Sequence, residues 1–322
     1  MTTRRTLLKT VPFLAGLPLL SRAEAQLTAP PASRPDLILA HLTDIHFGAD
    51  LLDKDRLKPG LSAEGLTVAL RHAQSQGAQF ILQGGDLLAE AFNKPASVVE
   101  PQMKGVVEIF RREAKVPVYH AIGNHDIWGW DKKSSGTTGQ EPLWGKQWIM
   151  QALGLRERYY SFDKGAWHFV VIDDIQPGED RDYIVKLDED QFTWLKDDLS
   201  ANKSKPTLIL SHAPILGVSP FFDGSNNLNG DWKISGSNIH IDAPRFKSLF
   251  KKNPQVKLCL SGHTHLIDQV LYNGVQYAND GAVSAASWYG NMQETVPGYG
   301  LVRLWNDGRV QVEYVASGFK LE

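Results

Sequence analysis

Gly123-Asn124-His125-Asp126 constrains this chain more than any other stretch. The apolar run from Val116 to Ile122, bounded by Pro117, reads as a buried parallel strand that stops at a glycine and then presents an amide, an imidazole and a carboxylate in succession. In an open α/β sheet, ligands bind beyond the carboxyl ends of the strands, so these side chains are expected at the rim where chemistry is found. Four more apolar runs end the same way. Leu37 to Thr43 delivers Asp44 and His46, Phe80 to Gln83 delivers Gly84, Gly85 and Asp86, Thr207 to Ser211 delivers His212, and Val256 to Ser261 delivers Gly262, His263 and His265. Any one of these is ordinarily a capped strand end or a satisfied core histidine. Five in order make a set of nitrogen and oxygen donors.

Composition narrows what such donors can hold. With 322 residues and 42% hydrophobic content, the chain can bury a large core, as one α/β domain or two. A formal charge of −2 argues against a broad basic nucleic-acid face. Ten histidines stand against one cysteine, so Cys259 has no internal disulfide partner and any metal must be held by imidazole and carboxylate. Cys259 lies in an apolar strand and reads as a small core residue.

The ordered motifs Asp-x-His, Gly-Asp, Gly-Asn-His-Asp, His and Gly-His-x-His, running from Asp44 to His265, resemble those of the calcineurin-like metallophosphoesterase superfamily. In Asp44-Ile45-His46 and His263-Thr264-His265 the partners are two residues apart, and an extended backbone would point both to one side, as joint coordination requires. The resemblance implies two divalent ions, with Asp44, His46 and His265 on the first, Asn124, His212 and His263 on the second, and Asp86 bridging. It further implies that a bridging water, acidified by both cations, attacks phosphorus in line. His125 would protonate the departing alkoxide, and Asp126 would orient that imidazole. Mn, Fe or Zn would each suit such a site.

The subfamily is narrowed by departures. Asp86 leads into Leu87-Leu88-Ala89, without the tyrosine three residues on that purple acid phosphatases carry and without the Asp-Arg-Gly of phosphoprotein phosphatases. The central motif ends in Asp126 rather than Glu-Arg, and no room is left for the C-terminal domain of 5′-nucleotidases. What remains resembles compact bacterial phosphodiesterases of the cyclic-nucleotide type. The expected activity is therefore that of a dinuclear phosphodiesterase on a small-molecule phosphate ester. The alternatives are a phosphate-scavenging phosphomonoesterase and, from a different class, a catalytically silent metal-stabilised binding module.

Residues 1–25 read as a twin-arginine-type signal peptide: Arg4-Arg5 lies in a Thr-Arg-Arg-Thr-Leu-Leu-Lys context, Val11 to Leu20 is modestly apolar, and Ala23-Glu24-Ala25 suits cleavage. A mitochondrial-type or simply disordered tail is the plainer alternative. The apolar run is too short to span a bilayer, which takes about 20 residues. Export to the periplasm or beyond by the twin-arginine machinery, a transient partner, would carry a folded, loaded metal site intact. Residues 26–36 read as a linker and 37–322 as the phosphoesterase domain.

Within that domain, helices are expected over Ser62 to Gln76 with Ser62 as cap, Ser97 to Ala114, Asp188 to Ser200, and from a capping Asp242 to Phe250. Gly48 to Gly60 reads as a solvated loop and Asp131 to Gln140 as a mobile one near the site rim. Trp128, Trp130, Trp144 and Trp148 either stack on substrate or wall the site from water. Ala213 to Ile239 is long enough to shape substrate access. Asn273-Gly274 and Asn306-Asp307-Gly308 mark hairpins. His41, His72, His120, His168 and His240 fit no motif and read as structural or surface groups. Parallel strand-helix units first and antiparallel hairpins last suggest two sheets face to face with helices outside, and the resemblance implies the same α/β fold, a four-layer αββα sandwich of two mixed β-sheets.

Overall fold

Strands buried on both faces must be apolar at every position, and that is how the central strands of this chain are built. The computed structural model describes residues 33–179, 182–222 and 224–321. One sheet has five strands in the order Val310–Ala316, Gly298–Leu304, Leu37–Leu42, Ile81–Gln83 and Val118–His120. The last three run parallel, and the C-terminal hairpin adds antiparallel to Leu37–Leu42. The other sheet has six strands, ordered Ile267–Tyr272, Val275–Asp280, Val256–Ser261, Thr207–Leu210, Trp167–Val171 and Tyr160–Lys164. Its four inner strands are parallel and its two edge strands antiparallel.

The two-residue period of a strand assigns successive side chains to different layers. Leu37, Leu39, Phe80 and Leu82 of the first sheet meet Phe169, Leu208, Leu210, Leu258 and Leu260 of the second. Phe80 packs edge to face on Phe169 at 5.3 Å between centroids. Ala40, Leu42 and Ile81 point outward onto the helices Leu61–Ser75 and Ala96–Glu113, through Leu66, Leu70, Val99, Met103 and Val106. Val170, Ile209 and Cys259 point outward onto Glu189–Ala201 and Ala243–Lys252, through Phe192, Leu195, Phe246 and Phe250. Each large side chain buried this way contributes about 1.5–3 kcal/mol. The result is the expected four layers, with Cys259 a core residue. Among the described residues no helix is long and apolar enough to cross a membrane. The expected signal peptide and most of the linker lie outside the described residues.

Several local expectations need correction. Gly48 to Gly60 is not simply a solvated loop: Ala49–Leu52 is a short helix, and Asp50 is buried. Ser62 does not cap the next helix, whose N-cap is Gly60 in a left-handed conformation. Asp50 does that work instead, accepting the backbone N–H of Gly60 at 2.8 Å and of Ser62 at 3.3 Å, while the Ser62 hydroxyl accepts from Gly48. Asp242 stands at the start of its helix but makes no cap bond; its oxygens take His240 and the N–H of Leu187. Asp131 to Gln140 contains a helical turn, Lys132–Ser135, capped by Asp131. The indoles of Trp128 and Trp144 donate to the carbonyls of Lys94 and Gly129, which makes both part of the wall. None of the five unassigned histidines is a surface group, and four are buried: His41 against Asp280, His120 near Gln83, His168 between Asp163 and Asp198, and His240 between Asp174 and Asp242. His72 is half-buried against the Tyr299 hydroxyl.

Candidate metal centre

The carboxyl ends of three parallel strands of the first sheet and two of the second open toward one place. There the chain leaves Leu42 and Gln83 side by side, with Asp44 N–H on the Gly85 carbonyl at 3.1 Å and His46 N–H on that of Asp86 at 3.0 Å. The backbone is not extended: Asp44, His46, Asp86, His263 and His265 all have positive φ, between 46° and 69°. The expectation that spacing along an extended chain turns each pair to one side is therefore corrected, since left-handed residues do the turning. Asp and His tolerate this conformation better than most, yet each such residue costs about 1–3 kcal/mol and persists where surrounding contacts hold it.

Glycines in the motifs have a steric cause. A Cβ at position 123 would overlap the backbone nitrogen and Oδ1 of Asp86, and one at 262 would overlap Asp44 Oδ2 and Thr43 Oγ1. Only glycine lets these loops approach so closely.

Donor atoms converge in two groups that share Asp86. On one side His46 Nε2 lies 3.0 Å from His265 Nε2, and Asp44 Oδ1 lies 3.3 Å from His265 Nε2. On the other, His212 Nε2 lies 3.1 Å from both Asn124 Oδ1 and His263 Nδ1. Asp86 reaches both, with Oδ2 3.7 Å from His46 Nε2 and Oδ1 3.4 Å from His212 Nε2. Ligands about 2.1 Å from one ion are about 3.0–3.4 Å from each other, and all of these separations but the one between Asp86 and His46 fall in that range, as donors around cations do.

Hydrogen bonding points the same way. Asp44 Oδ2 accepts from Thr43 Oγ1 at 2.6 Å and from His263 N–H at 2.8 Å, whereas Oδ1, facing His265 Nε2, is buried and accepts no hydrogen bond. Three imidazoles place their outer nitrogen on a carbonyl: His212 Nδ1 on Gly84 at 2.9 Å, His263 Nε2 on Ser237 at 2.9 Å, and His265 Nδ1 on Ala285 at 2.6 Å. Those bonds fix the rings and turn the inner lone pairs toward the centre, the usual arrangement around a metal. The donor set fits two divalent ions.

Without a cation, protons balance the charge. Burial alone would lower His212, but the Asp86 carboxylate beside it outweighs this and carries it up to about 10. His265 is likewise raised by Asp44 against its burial. Burial lowers His46 to about 3 and His263 to about 4. Asp44 is held at about 2, its burial overcome by His265, and Asp86 lies well below the usual range.

His125 stands at the open side, 32% exposed, with its ring edge-on to His46 at 4.8 Å. Its Nδ1 meets the Ala89 carbonyl at 2.9 Å and Glu90 Oε2 at 3.5 Å. The expected support from Asp126 is not found: that carboxylate is buried and accepts Leu88 N–H at 3.0 Å and Gly123 N–H at 2.9 Å. The chain doubles back in a 3-10 turn, Asn124–Asp126, which turns the two neighbouring side chains apart. Sequence reasoning thus missed Glu90, and it missed the carbonyls of Gly84, Ser237 and Ala285, which no side-chain pattern betrays. It also passed over Asp174, although Trp167 to Asp174 is a sixth apolar strand running into acid. Asp174 accepts the N–H of His212 at 3.3 Å and of Ala213 at 2.8 Å.

Comparisons with known proteins establish the family and the fold. The chain shares 24% identity over 293 residues, 88% of its own length and 94% of the relative's, with a 3′,5′-cyclic-nucleotide phosphodiesterase of Nostoc sp.. It shares 25% over 230 residues, 71% of its length and 73% of the relative's, with a probable cyclic nucleotide phosphodiesterase of Synechococcus sp.. Among solved structures, a dimetal phosphatase from Danio rerio superposes with a TM-score of 0.60 at 15% identity, covering 88% of this chain and 100% of that one. Purple acid phosphatase PPD1 from yellow lupin gives 0.54 at 15% identity, over 91% and 54%. Both are similar in fold. The calcineurin-like phosphoesterase family matches residues 37–266, an interval that holds all five motif-bearing strand ends. The chain belongs to that family and is a metal-dependent phosphoric ester hydrolase.

Proposed function

We propose that this protein is an exported phosphodiesterase with two divalent ions, and that 3′,5′-cyclic nucleotides are the first substrates to test. The observation that carries the metal reading is the convergence of two donor groups, Asp44 with His46 and His265 and Asp86 with His212 and His263, with Asp86 also 3.7 Å from His46 and a buried Asp44 oxygen that accepts no hydrogen bond. Asp44, His46 and His265 would hold one ion, Asn124, His212 and His263 the other, and Asp86 both. The ions would supply Lewis acidity to phosphoryl oxygens and acidify water, with Mn, Fe and Zn all suited to the donors. The names of the two curated relatives, which align over most of the chain, support the diester preference.

The chain's own part is to place and protonate. Ala89 and Glu90 hold His125 Nδ1, which leaves Nε2 to face the departing ester oxygen and give it a proton. Asp126 shapes the turn that carries Asn124 and His125. Export is supported by the Arg4-Arg5 segment.

The test is hydrolysis by Mn-loaded protein of 3′,5′-cyclic AMP and bis-p-nitrophenyl phosphate beside p-nitrophenyl phosphate. Faster diester turnover is expected; a monoester preference would replace the reading with a phosphomonoesterase.

A further inference from the structure

Tyr183 stands at the centre and none of the chemistry above uses it. It opens the strand Tyr183–Val185, which pairs with Ile175–Pro177 so that Tyr183 faces Pro177. This ribbon is anchored at its far end. Val185 N–H bonds the Gly236 carbonyl at 2.8 Å, Ile241 N–H bonds that of Val185 at 3.0 Å, and Lys186 N–H bonds that of Asp174 at 2.9 Å. A side chain carried on such a base is held in place rather than left to wander.

The Tyr183 ring lies 6.2 Å from the ring of His263 and 6.4 Å from that of Phe92, edge-on to both at 81° and 64°. Phe92 is buried, and its N–H is bonded at 2.8 Å to the same Glu90 carboxylate that stands beside His125. Tyr183 therefore bridges the two flanks of the open side, from a metal-donor histidine to the support of the candidate acid. With its ring in contact with Phe92 and His263, the hydroxyl is the part left for a ligand. That hydroxyl has no hydrogen-bond partner among the described residues. A phenol hydroxyl ordinarily keeps its proton near neutral pH and can donate it in a hydrogen bond.

We propose that Tyr183 touches the substrate and donates a hydrogen bond from its hydroxyl to a non-bridging phosphoryl oxygen. An uncharged donor suits this position. It binds an anionic ester without the competing ion pair that a lysine would form with Asp86 or Glu90, and phosphate oxygens accept strongly. The inference rests on the phosphoesterase reading of the same centre.

Wild type, Tyr183→Phe and Tyr183→Ala are compared after Mn loading for metal content, Tm, kcat and KM on bis-p-nitrophenyl phosphate, and the Kd of inorganic phosphate by calorimetry. Tyr183→Phe should keep metal content and Tm and lose about tenfold in kcat/KM, with weaker phosphate binding, as removal of one hydrogen bond to a charged group does. Tyr183→Phe equal to wild type in both kcat/KM and phosphate Kd would overturn the proposal. So would a Tyr183→Ala defect fully restored by Phe, since the ring alone would then matter. A wild-type protein that binds phosphate and hydrolyses no ester would defeat the phosphoesterase reading instead, and phosphate affinity would still decide the role of Tyr183.

Discussion

His240 and Asp174 form a buried pair, Nε2 3.1 Å from Oδ2, that ties one wall of the centre to the second sheet's outer helix. The other ring nitrogen is 2.8 Å from Asp242, at the start of that helix, and Asp174 in turn holds the backbone of His212 and Ala213. One imidazolium is thus shared between two buried carboxylates. His240→Ala should cost about 3–5 kcal/mol, because it leaves uncompensated buried charge, and should also lower Mn content through His212. Thermal unfolding and elemental analysis of the variant check both.

The same pair gives the protein a pH signature. Burial pulls His240 down, but Asp174 and Asp242 outweigh it and raise the imidazole to about 9 from an ordinary 6.5. A group raised on folding stabilises fully below its unfolded pKa and loses that contribution as pH climbs to the folded one. The Tm advantage of wild type over His240→Gln should therefore be constant below about pH 6.5 and shrink between about 6.5 and 9. An advantage that grew over that window would reverse the assignment.

Asp126 offers a decision between two roles. Its two oxygens hold the N–H groups of Leu88 and Gly123. Asp126→Asn presents an amide NH2 where one of those acceptors was, which should cost about 1–3 kcal/mol and loosen the turn carrying Asn124. Lower Tm and reduced metal content are expected together. A variant with wild-type Tm and metal but slow turnover would instead restore Asp126 as the partner of His125.

Much of this centre was readable because a strand buried on both faces has to be continuously apolar. Where Leu42, Gln83, Leu210 and Ser261 end such runs, the switch to Asp, Asn and His is abrupt, and the layers follow from which alternate residues enter which core. Backbone conformation was not readable in the same way. Nothing in Asp44-Ile45-His46 announces two left-handed residues, since that conformation is imposed by neighbouring loops rather than by local propensity. Support through carbonyls, as at Gly84, Ser237 and Ala285, leaves no mark on residue identity. Asp50 and Ser62 were misread for a related reason: a cap supplied from another segment looks like a loop residue in one dimension.

Metal binding should displace protons. In the free protein His212 and His265 are raised by Asp86 and Asp44, and both must lose a proton before their inner nitrogens can coordinate. Mn titration in weak buffer at pH 7 should release protons, and loading should weaken as pH falls. Chelation should lower stability by about 4 kcal/mol relative to free metal held at 1,000 times its Kd. Calorimetry in two buffers of different ionisation enthalpy counts the protons, and an equal heat in both would contradict this.

Export is tested upstream of the fold. Replacing Arg4 and Arg5 with Lys should block processing and leave folded protein in the cytoplasm, as the twin-arginine reading requires. Fractionation and the mass of the mature chain report the result; unchanged processing would remove that reading and leave the catalytic one untouched.

His125 should separate chemistry from metal binding. The backbone N–H of His125, not its ring, holds Asp86 at 2.9 Å, so His125→Ala keeps that carboxylate in place and should retain metal and Tm. What it removes is the proposed proton donor to the leaving oxygen. An aryl oxide departs readily without a proton whereas an alkoxide does not, so turnover should fall about 10²–10⁴-fold for alkyl diesters and far less for bis-p-nitrophenyl phosphate. Glu90→Gln, which keeps the shape beside Nδ1 and removes the charge, should shift the same ratio in the same direction by less. Equal losses on both esters would mean that the ring only positions substrate, and the acid would then have to be sought elsewhere around the open side.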